Sequence, residues 1–586
     1  MGLCGSALVQ AFVRRFGRHF NSGTGNRLFQ PVLQAGVTLG GMRLAPACFV
    51  LIGACTSKIP GDMESKGLSG DTESQVLSGD DSTVVDIPED TGVLEPVGAI
   101  DLGPISTCDD PLPGPSYEEV GLSWGVDLQE FSPSAPFGHE DGPSIALGDA
   151  NGDGHLELVI ARQAGQPHFY IGSASGYSER PGLIPPGRSP LFADADDDGD
   201  LDLMMGGIMP YVVYLDESLL GNSVNLPALD PPGTDSASTV HDFALADFDM
   251  DGIEDILVVR TAVPHGSGVA TNDRMLHLGP DGIEVEMDMI PEEVGLRHGF
   301  DGLPFDEDGD GDMDVYIVHD HGATIGASTL LRNDDGVFVD ASDTCYCSLY
   351  VSGKGIDITD IDGDGQPDVL ITGGPLNTLL SRKDGSWVDV SDSTGFRAVP
   401  GDGTGWGGVF VDVDNDGQRD ILLAQGDRWS PGMGGSTLPD GNPARFDVPL
   451  RLLRQDDGVF SDVGSQLAIN VEGSFRAVVA TDLNRDGVED LVVTQASERT
   501  LVFASTGCTE ANWIEVEAPL GSRITVNSAT RSQTDWVRAD RGLQATARVP
   551  MHFGLGADAT VDSIVVNLPG GDKLVAVGPI DARRLV

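Results

Sequence analysis

Positive charge is what this 586-residue sequence has least of: 34 Lys and Arg stand against 92 Asp and Glu, for a net charge of −58. A chain this acidic repels phosphate backbones rather than neutralising them, which argues against nucleic acid as a partner. Long 3.6-residue periodicity is also missing, which argues against a helical protein. No HExxH, GxSxG or P-loop occurs, so none of the chemistries those motifs carry has support. Gly403, Gly405 and Gly408 satisfy GxGxxG, but they precede a strand-like run and open no helix. They read as a glycine-rich turn. What the chain does have is 40% hydrophobic residues, 78 Gly and 36 Pro. That suits a core of short strands joined by many turns, with length for two or more domains.

The apolar run after Met42 and Arg43 is too short to span a bilayer and ends in Leu51-Ile52-Gly53-Ala54-Cys55. Small residues before a cysteine resemble a bacterial lipobox, so residues 1–55 are expected to hold an export signal lipidated at Cys55. Met42 is then the expected start of translation. Residues 56–115 contain no aromatic residue and are rich in Ser, Gly, Asp and Pro. Such a segment buries too little apolar surface to order itself, so it reads as a disordered tether from a lipid anchor. This predicts an exported chain, either a cell-envelope or outer-membrane lipoprotein facing the exterior or a secreted protein. Of seven cysteines, Cys108, Cys345, Cys347 and Cys508 remain in the oxidising compartment. They allow three pairings.

The acidic residues are not spread evenly. Seven nine-residue loops share Asp or Asn at positions 1, 3 and 5, Gly at 6, and a carboxylate at 9. The candidate ligands, counting the position-7 carbonyl, are Asp149, Asn151, Asp153, His155 and Glu157 in the first loop. The second offers Asp194, Asp196, Asp198, Asp200 and Asp202, and the third Asp247, Asp249, Asp251, Ile253 and Asp255. The fourth has Asp306, Asp308, Asp310, Asp312 and Asp314, and the fifth Asp360, Asp362, Asp364, Gln366 and Asp368. The sixth has Asp412, Asp414, Asp416, Gln418 and Asp420, and the seventh Asp482, Asn484, Asp486, Val488 and Asp490.

Ca²⁺ is a hard cation that takes six to eight oxygens at about 2.3–2.6 Å, and a tight loop can aim positions 1, 3 and 5 at one point. The glycine allows the turn, the seventh carbonyl adds a ligand and the ninth carboxylate closes the shell. Mg²⁺ fits less well because it retains water, and the scarcity of Cys and His disfavours zinc and copper. An EF-hand needs an acidic twelfth residue. Here that position holds Ile160, Met205, Val258, Ile317, Ile371, Leu423 and Val493. Each loop instead runs into a β-type segment such as DVLITG or DLVVTQ. The loops therefore connect strands, and up to seven structural Ca²⁺ ions are expected.

The first aspartates lie between 45 residues apart (149 to 194) and 70 apart (412 to 482). That spacing suits four-stranded propeller blades. The last unit lacks its outermost strand, whereas a spare one occurs at 116–122. The expected fold is all-β: a seven-bladed β-propeller over 116–508, closed by that N-terminal strand, then a small β domain over 509–586. Closure would bring Cys108 and Cys508 near each other, where they could form a disulfide.

The loops resemble the FG-GAP repeats of integrin α-subunit propellers, as in SIALGDANGDGHLELVIA from Ser144. The later series NWIEV, GSRITV, MHFGLG and VDSIVVNLPGG resembles the ASPIC/UnbV domain that follows such repeats in the cartilage acidic protein family. At Leu568-Pro569-Gly570-Gly571 the chain departs from that domain's more usual Trp-Pro-Asp-Gly. The resemblance implies a surface-exposed Ca²⁺-binding protein acting in adhesion or recognition.

His552 has no evident partner carboxylate and reads as structural, in a turn between strands. Cys345-Tyr346-Cys347 reads as a short exposed turn. The insertion at 424–448, with Arg428 and Trp429, suits either a binding loop or a solvated one. The function expected is a monomeric, non-enzymatic module that recognises an extracellular protein or glycan and meets the membrane only through a lipid anchor. An enzyme acting on polysaccharide at the propeller's axial mouth is the alternative, followed by a purely structural envelope protein.

Overall fold

A computed structural model describes residues 116–586 except 128–141, 163–164, 230–237, 263–272, 281, 287–289, 292–293, 295–296, 321–325, 335, 375, 384, 400–402, 427–446, 497 and 506–510. Met42, Cys55, the segment 56–115, Cys108, Cys508, Arg428 and Trp429 lie outside the described residues.

The chain is built almost wholly of β-strands. Seven of its sheets repeat one plan, in which an acidic loop joins the innermost strand to the second. The innermost strands are Ser144–Gly148, Arg188–Ala193, Ser238–Ala246, Gly299–Phe305, Ser352–Thr359, Thr404–Val411 and Phe475–Thr481. Each packs against the next in this order, and Phe475–Thr481 packs back against Ser144–Gly148. Inner strands such as Ser144–Gly148 and Glu157–Ala161 are buried along their full length. They lie between neighbouring sheets, which is why they read as unbroken apolar runs rather than alternating ones. Outer strands such as Val337–Asp340 bury only one residue of the four. Gly405 and Gly408 lie within the innermost strand of the sixth sheet, not in a turn ahead of it. A Cβ at the intervening Gly407 would come within 2.5 Å of the Arg476 carbonyl, so the close approach of two inner strands demands glycine there.

The seventh sheet draws strands from both ends of the repeat region. Tyr117–Glu119 pairs antiparallel with Leu501–Ser505, and Arg499 Nη2 holds Glu119 Oε2 at 2.6 Å. This covers an edge that would otherwise expose a row of unpaired backbone groups.

The C-terminal region, expected from sequence as a small β domain, forms sheets of its own and also joins the repeats. One sheet orders Ser532–Trp536, Arg523–Ser528, Thr560–Asn567 and Lys573–Asp581, and Asn512–Val516 pairs with Met551–Gly556. Ala545–Arg548, however, pairs in parallel with Ser144–Gly148 as a fifth strand of the first propeller sheet. Residues 534–547 are buried without exception and reach the inner strands around the ring. Gln544 O accepts the Ile145 N–H at 2.9 Å, and Thr546 Oγ1 donates to Pro190 O at 3.0 Å. Leu543 packs with Phe300 and Trp406. The centre of the repeat array is thus filled by the chain's own C-terminal segment.

Buried charge fastens that segment. Arg538 Nε donates to Asp357 Oδ1 at 2.7 Å, and its Nη1 lies 3.0 Å from Asp535 Oδ1. Asp535 Oδ2 in turn meets Arg419 at 2.8 Å.

Of the three cysteine pairings, the structure contains Cys345–Cys347. The segment is not the exposed turn expected. Both cysteines are buried in a core with Tyr316 and Trp387, because Tyr316 Oη donates to Cys347 O at 2.6 Å and draws the segment inward.

Replacing Arg538 with Met leaves Asp357 and Asp535 buried without their shared counter-ion. The expected outcome is a loss of about 3–5 kcal/mol, read as a lower denaturation midpoint.

Candidate metal centres

All seven acidic loops fold alike. The sixth-position glycines have positive φ, and so do the fourth residues: Gly152, Asp197, Met250, Gly309, Gly363, Asn415 and Arg485, at 55–84°. Sequence reasoning found the first set and missed the second, because no single residue type marks the fourth position.

This bend turns backbone N–H groups onto the carboxylates. The first aspartate accepts from the fifth and sixth residues in every loop. In the first loop Asp149 takes Asp153 N–H at 3.0 Å and Gly154 N–H at 2.7 Å. In the seventh, Asp482 takes Asp486 N–H at 3.1 Å and Gly487 N–H at 2.6 Å. The fifth carboxylate accepts the N–H of the seventh residue throughout, at 2.7–3.0 Å.

The ninth residue, expected to complete an ion's shell, is first of all a brace. One of its oxygens accepts the second residue's N–H in all seven loops, at 2.7–3.2 Å. In the second, fourth, sixth and seventh loops the other oxygen accepts an N–H from the third strand, at Leu215, Asn333, Gln455 and Ser505. Loss of hydration on burial pushes these carboxyls up, to about 7 for Glu157 and Asp202 and about 8 for Asp314. Burial also raises Asp420 and Asp490 well above the ordinary range, helped by the neighbouring loop carboxylates.

Carboxylate oxygens of Asp194, Asp196 and Asp198 lie within 4.8 Å of one another, as do those of Asp247, Asp249 and Asp251. The same holds for Asp306, Asp308 and Asp314, and for Asp360, Asp362 and Asp368. These all-oxygen groups suit a hard cation, and the raised carboxyls are what a nearby positive charge would bring back down.

The structure also brings basic side chains to the loops from the third strands. Lys383 Nζ contacts Asp362 and lies 2.8 Å from Asp364 Oδ2. Arg332 Nε is 3.7 Å from Asp308 but closer, at 2.8 Å, to Asp334. Arg454 stands 3.9 Å from Asp414 and 3.1 Å from Asp456. The signal was present in the hairpins LLRNDDG, LLSRKDG and LLRQDDG, whose basic residues sit one turn from the loop.

The C-terminal region rests on these loops and addresses their sixth-position glycines. Gly570 N–H donates to Gly311 O at 3.0 Å, Arg531 to Gly417 O at 3.0 Å, and Arg523 to Gly365 O. A Cβ at Gly487 would collide with the Trp513 ring. The departure at Gly570 therefore falls on a contact with the fourth loop, where Gly570 adopts φ 80°. His552 corrects the sequence reading on two counts. It sits in the strand Met551–Gly556, and it has partners. Its Nε2 is 2.7 Å from Asn415 Oδ1 in the sixth loop, and its Nδ1 is 3.8 Å from Glu515.

Brace and ligand are separable by mutation. Asp202→Ala strands the N–H groups of Ala195 and Leu215 and is expected to cost about 2–4 kcal/mol even without cation. Asp196→Ala should leave the metal-free stability nearly unchanged and remove only a cation-dependent increment. Thermal melts of both variants with and without Ca²⁺ check the contrast.

The family model for the FG-GAP-like repeat matches residues 149–205, 306–371 and 360–423, and that for ASPIC and UnbV matches 516–579. Cartilage acidic protein 1 of Xenopus tropicalis is 28% identical over 322 residues, covering 50% of this chain and 46% of that protein. The human cartilage acidic protein 1 is 22% identical over 460 residues, covering 65% of this chain and 68% of its own length. The chain thus spans about half the length of the first of these relatives. A solved structure of BBS1N in complex with ARL6DN aligns over 64% of this chain and 96% of that one, at 13% identity and a TM-score of 0.39. The chain carries FG-GAP-like repeats and a C-terminal match to ASPIC and UnbV, and it is similar to cartilage acidic protein 1.

Proposed function

We propose that this chain is an exported, Ca²⁺-stabilised recognition module: seven blades closed in a ring, displaying loops to an extracellular protein or glycan. The observation that carries this reading is the sevenfold recurrence of one loop geometry with an all-oxygen donor set. Asp, Asn and backbone carbonyls around a glycine-bent loop are the ligands a Ca²⁺ site uses. The ions would act structurally, neutralising carboxylates that otherwise repel one another across a few ångströms. Residues at positions 1, 3, 5 and 9 would hold each ion, with the seventh carbonyl as a further ligand.

Recognition is favoured over catalysis by what lies at the axis. The polysaccharide-acting alternative needs open space at the axis, and residues 534–547 are buried against inner strands through Leu543, Gln544 and Thr546. The similarity to cartilage acidic protein 1 supports an extracellular setting. Attachment through a lipidated Cys55 remains part of the proposal, resting on the sequence around that residue.

Two measurements test the reading. Chelation with EDTA is expected to lower the melting temperature strongly, with recovery on adding Ca²⁺; equal melting of the two forms would refute structural calcium. Residues 109–586 used as bait, or applied to a glycan array, should retain a partner in Ca²⁺ and release it in EDTA.

A further inference from the structure

The third loop differs from its six counterparts in one respect. At the end of its third strand stands His277, directly across from Asp255 in the sheet register. Its Nδ1 lies 3.0 Å from Asp255 Oδ1 and 3.6 Å from Asp249 Oδ2. These three ligand atoms all fall within 4.8 Å of one another. In the second, fourth, sixth and seventh loops the corresponding ninth-residue oxygen is taken by a backbone N–H of the third strand. In the third loop it faces an imidazole instead.

We propose that Asp249, Asp255 and His277 form a site for a divalent transition-metal ion of the Zn²⁺, Co²⁺ or Mn²⁺ class, distinct in preference from the other loops. The proposal rests on reading the acidic loops as cation sites and assigns this one a different ion. Spacing favours it. With metal–ligand bonds of about 2.1 Å, neighbouring ligand atoms lie about 3.0 Å apart around an octahedron and about 3.4 Å around a tetrahedron. Bonds of about 2.3–2.6 Å to Ca²⁺ need about 3.3–3.7 Å. The 3.0 Å between Asp255 and His277 fits the shorter set, while the 3.6 Å between His277 and Asp249 lies in the longer one.

Chemistry agrees with spacing. Imidazole nitrogen is a good ligand for borderline transition metals, whereas Ca²⁺ selects oxygen. The other ring nitrogen is engaged as such ligands usually are: His277 Nε2 is 3.3 Å from Glu286 Oε2 on the fourth strand. Metal binding requires the proton on Nε2, where that carboxylate can accept it, and Nδ1 open toward Asp255 and Asp249. The His277 side chain is 25% exposed, which leaves a path for the ion. The contrary arrangement is a protonated His277 serving only as a counter-ion to three carboxylates.

Cobalt distinguishes the two arrangements. The full chain, stripped of metal and dialysed against Co²⁺ in a large excess of Ca²⁺, is expected to retain one equivalent of cobalt. That ion should show a d–d absorption band characteristic of nitrogen ligation. His277→Gln should lose that equivalent and its band while keeping its calcium and its melting temperature in Ca²⁺. Glu286→Gln, which touches only the ring's far side, should weaken cobalt binding by about tenfold or more. Equal cobalt retention by wild type and His277→Gln, or no retention against calcium by the wild type, overturns the proposal. Calcium counted in the same samples separates the two readings. Chains that bind calcium but retain no cobalt refute only the third-loop site, whereas chains that bind no calcium refute the wider one.

Discussion

Like charge held at close quarters is the constraint on which this molecule depends. Each repeat gathers four to six acidic or amide side chains into nine residues, seven times over, in a chain already at −58. Carboxylates a few ångströms apart repel one another strongly unless positive charge or hydrogen-bond donors intervene. The fold supplies donors first. Left-handed fourth and sixth residues turn successive N–H groups inward, so the first, fifth and ninth carboxylates are each engaged by backbone before any ion arrives. Lys383 goes further by placing an ammonium on Asp362 and Asp364. A divalent cation would complete what the backbone begins.

The same bend serves a second purpose. A loop whose inward face is given to carboxylates has carbonyls left to point outward, and the sixth-position carbonyls of the fourth, fifth and sixth loops receive donors from the C-terminal region. His552 and Asn415 add a side-chain link at the sixth loop. Loop conformation and docking of the C-terminal region are therefore mechanically coupled, because whatever deforms a loop also moves the carbonyls that hold the neighbour.

Much of this was legible in the residues. The Asp–x–Asp–x–Asp–Gly register and the apolar twelfth positions defined strand-connecting loops. The spare strand at 116–122 indicated which sheet it would join, and Tyr117–Glu119 lies there. Three things were not legible, each for a physical reason. The left-handed fourth position tolerates Gly, Asp, Asn, Met and Arg, so it leaves no trace in composition. The ninth carboxylate looks like any ligand until the strand that hydrogen-bonds to it is placed. Segment 534–547 carries Arg538, Asp540 and Arg541, charges that mark no core segment in a sequence, yet it is buried, with the Arg538 guanidinium held by Asp357 on an inner strand and by Asp535 within the segment. Periodicity reports a segment's own amphipathy and is blind to a buried salt bridge formed with Asp357, 181 positions away.

The fifth strand of the first sheet has a consequence for how the chain comes into being. Ile145 pairs with Ala545, and Tyr117 with Ser505. The first sheet therefore cannot reach its final pairing, nor the last sheet its outer strand, until nearly the whole polypeptide is available. Contacts so distant along the chain close slowly, since the entropy of a long loop is lost before the pairing rewards it. A vectorially delivered chain would hold its first sheet with a bare inner edge for most of its emergence. Those two pairings are completed late, once the C-terminal strands have been made.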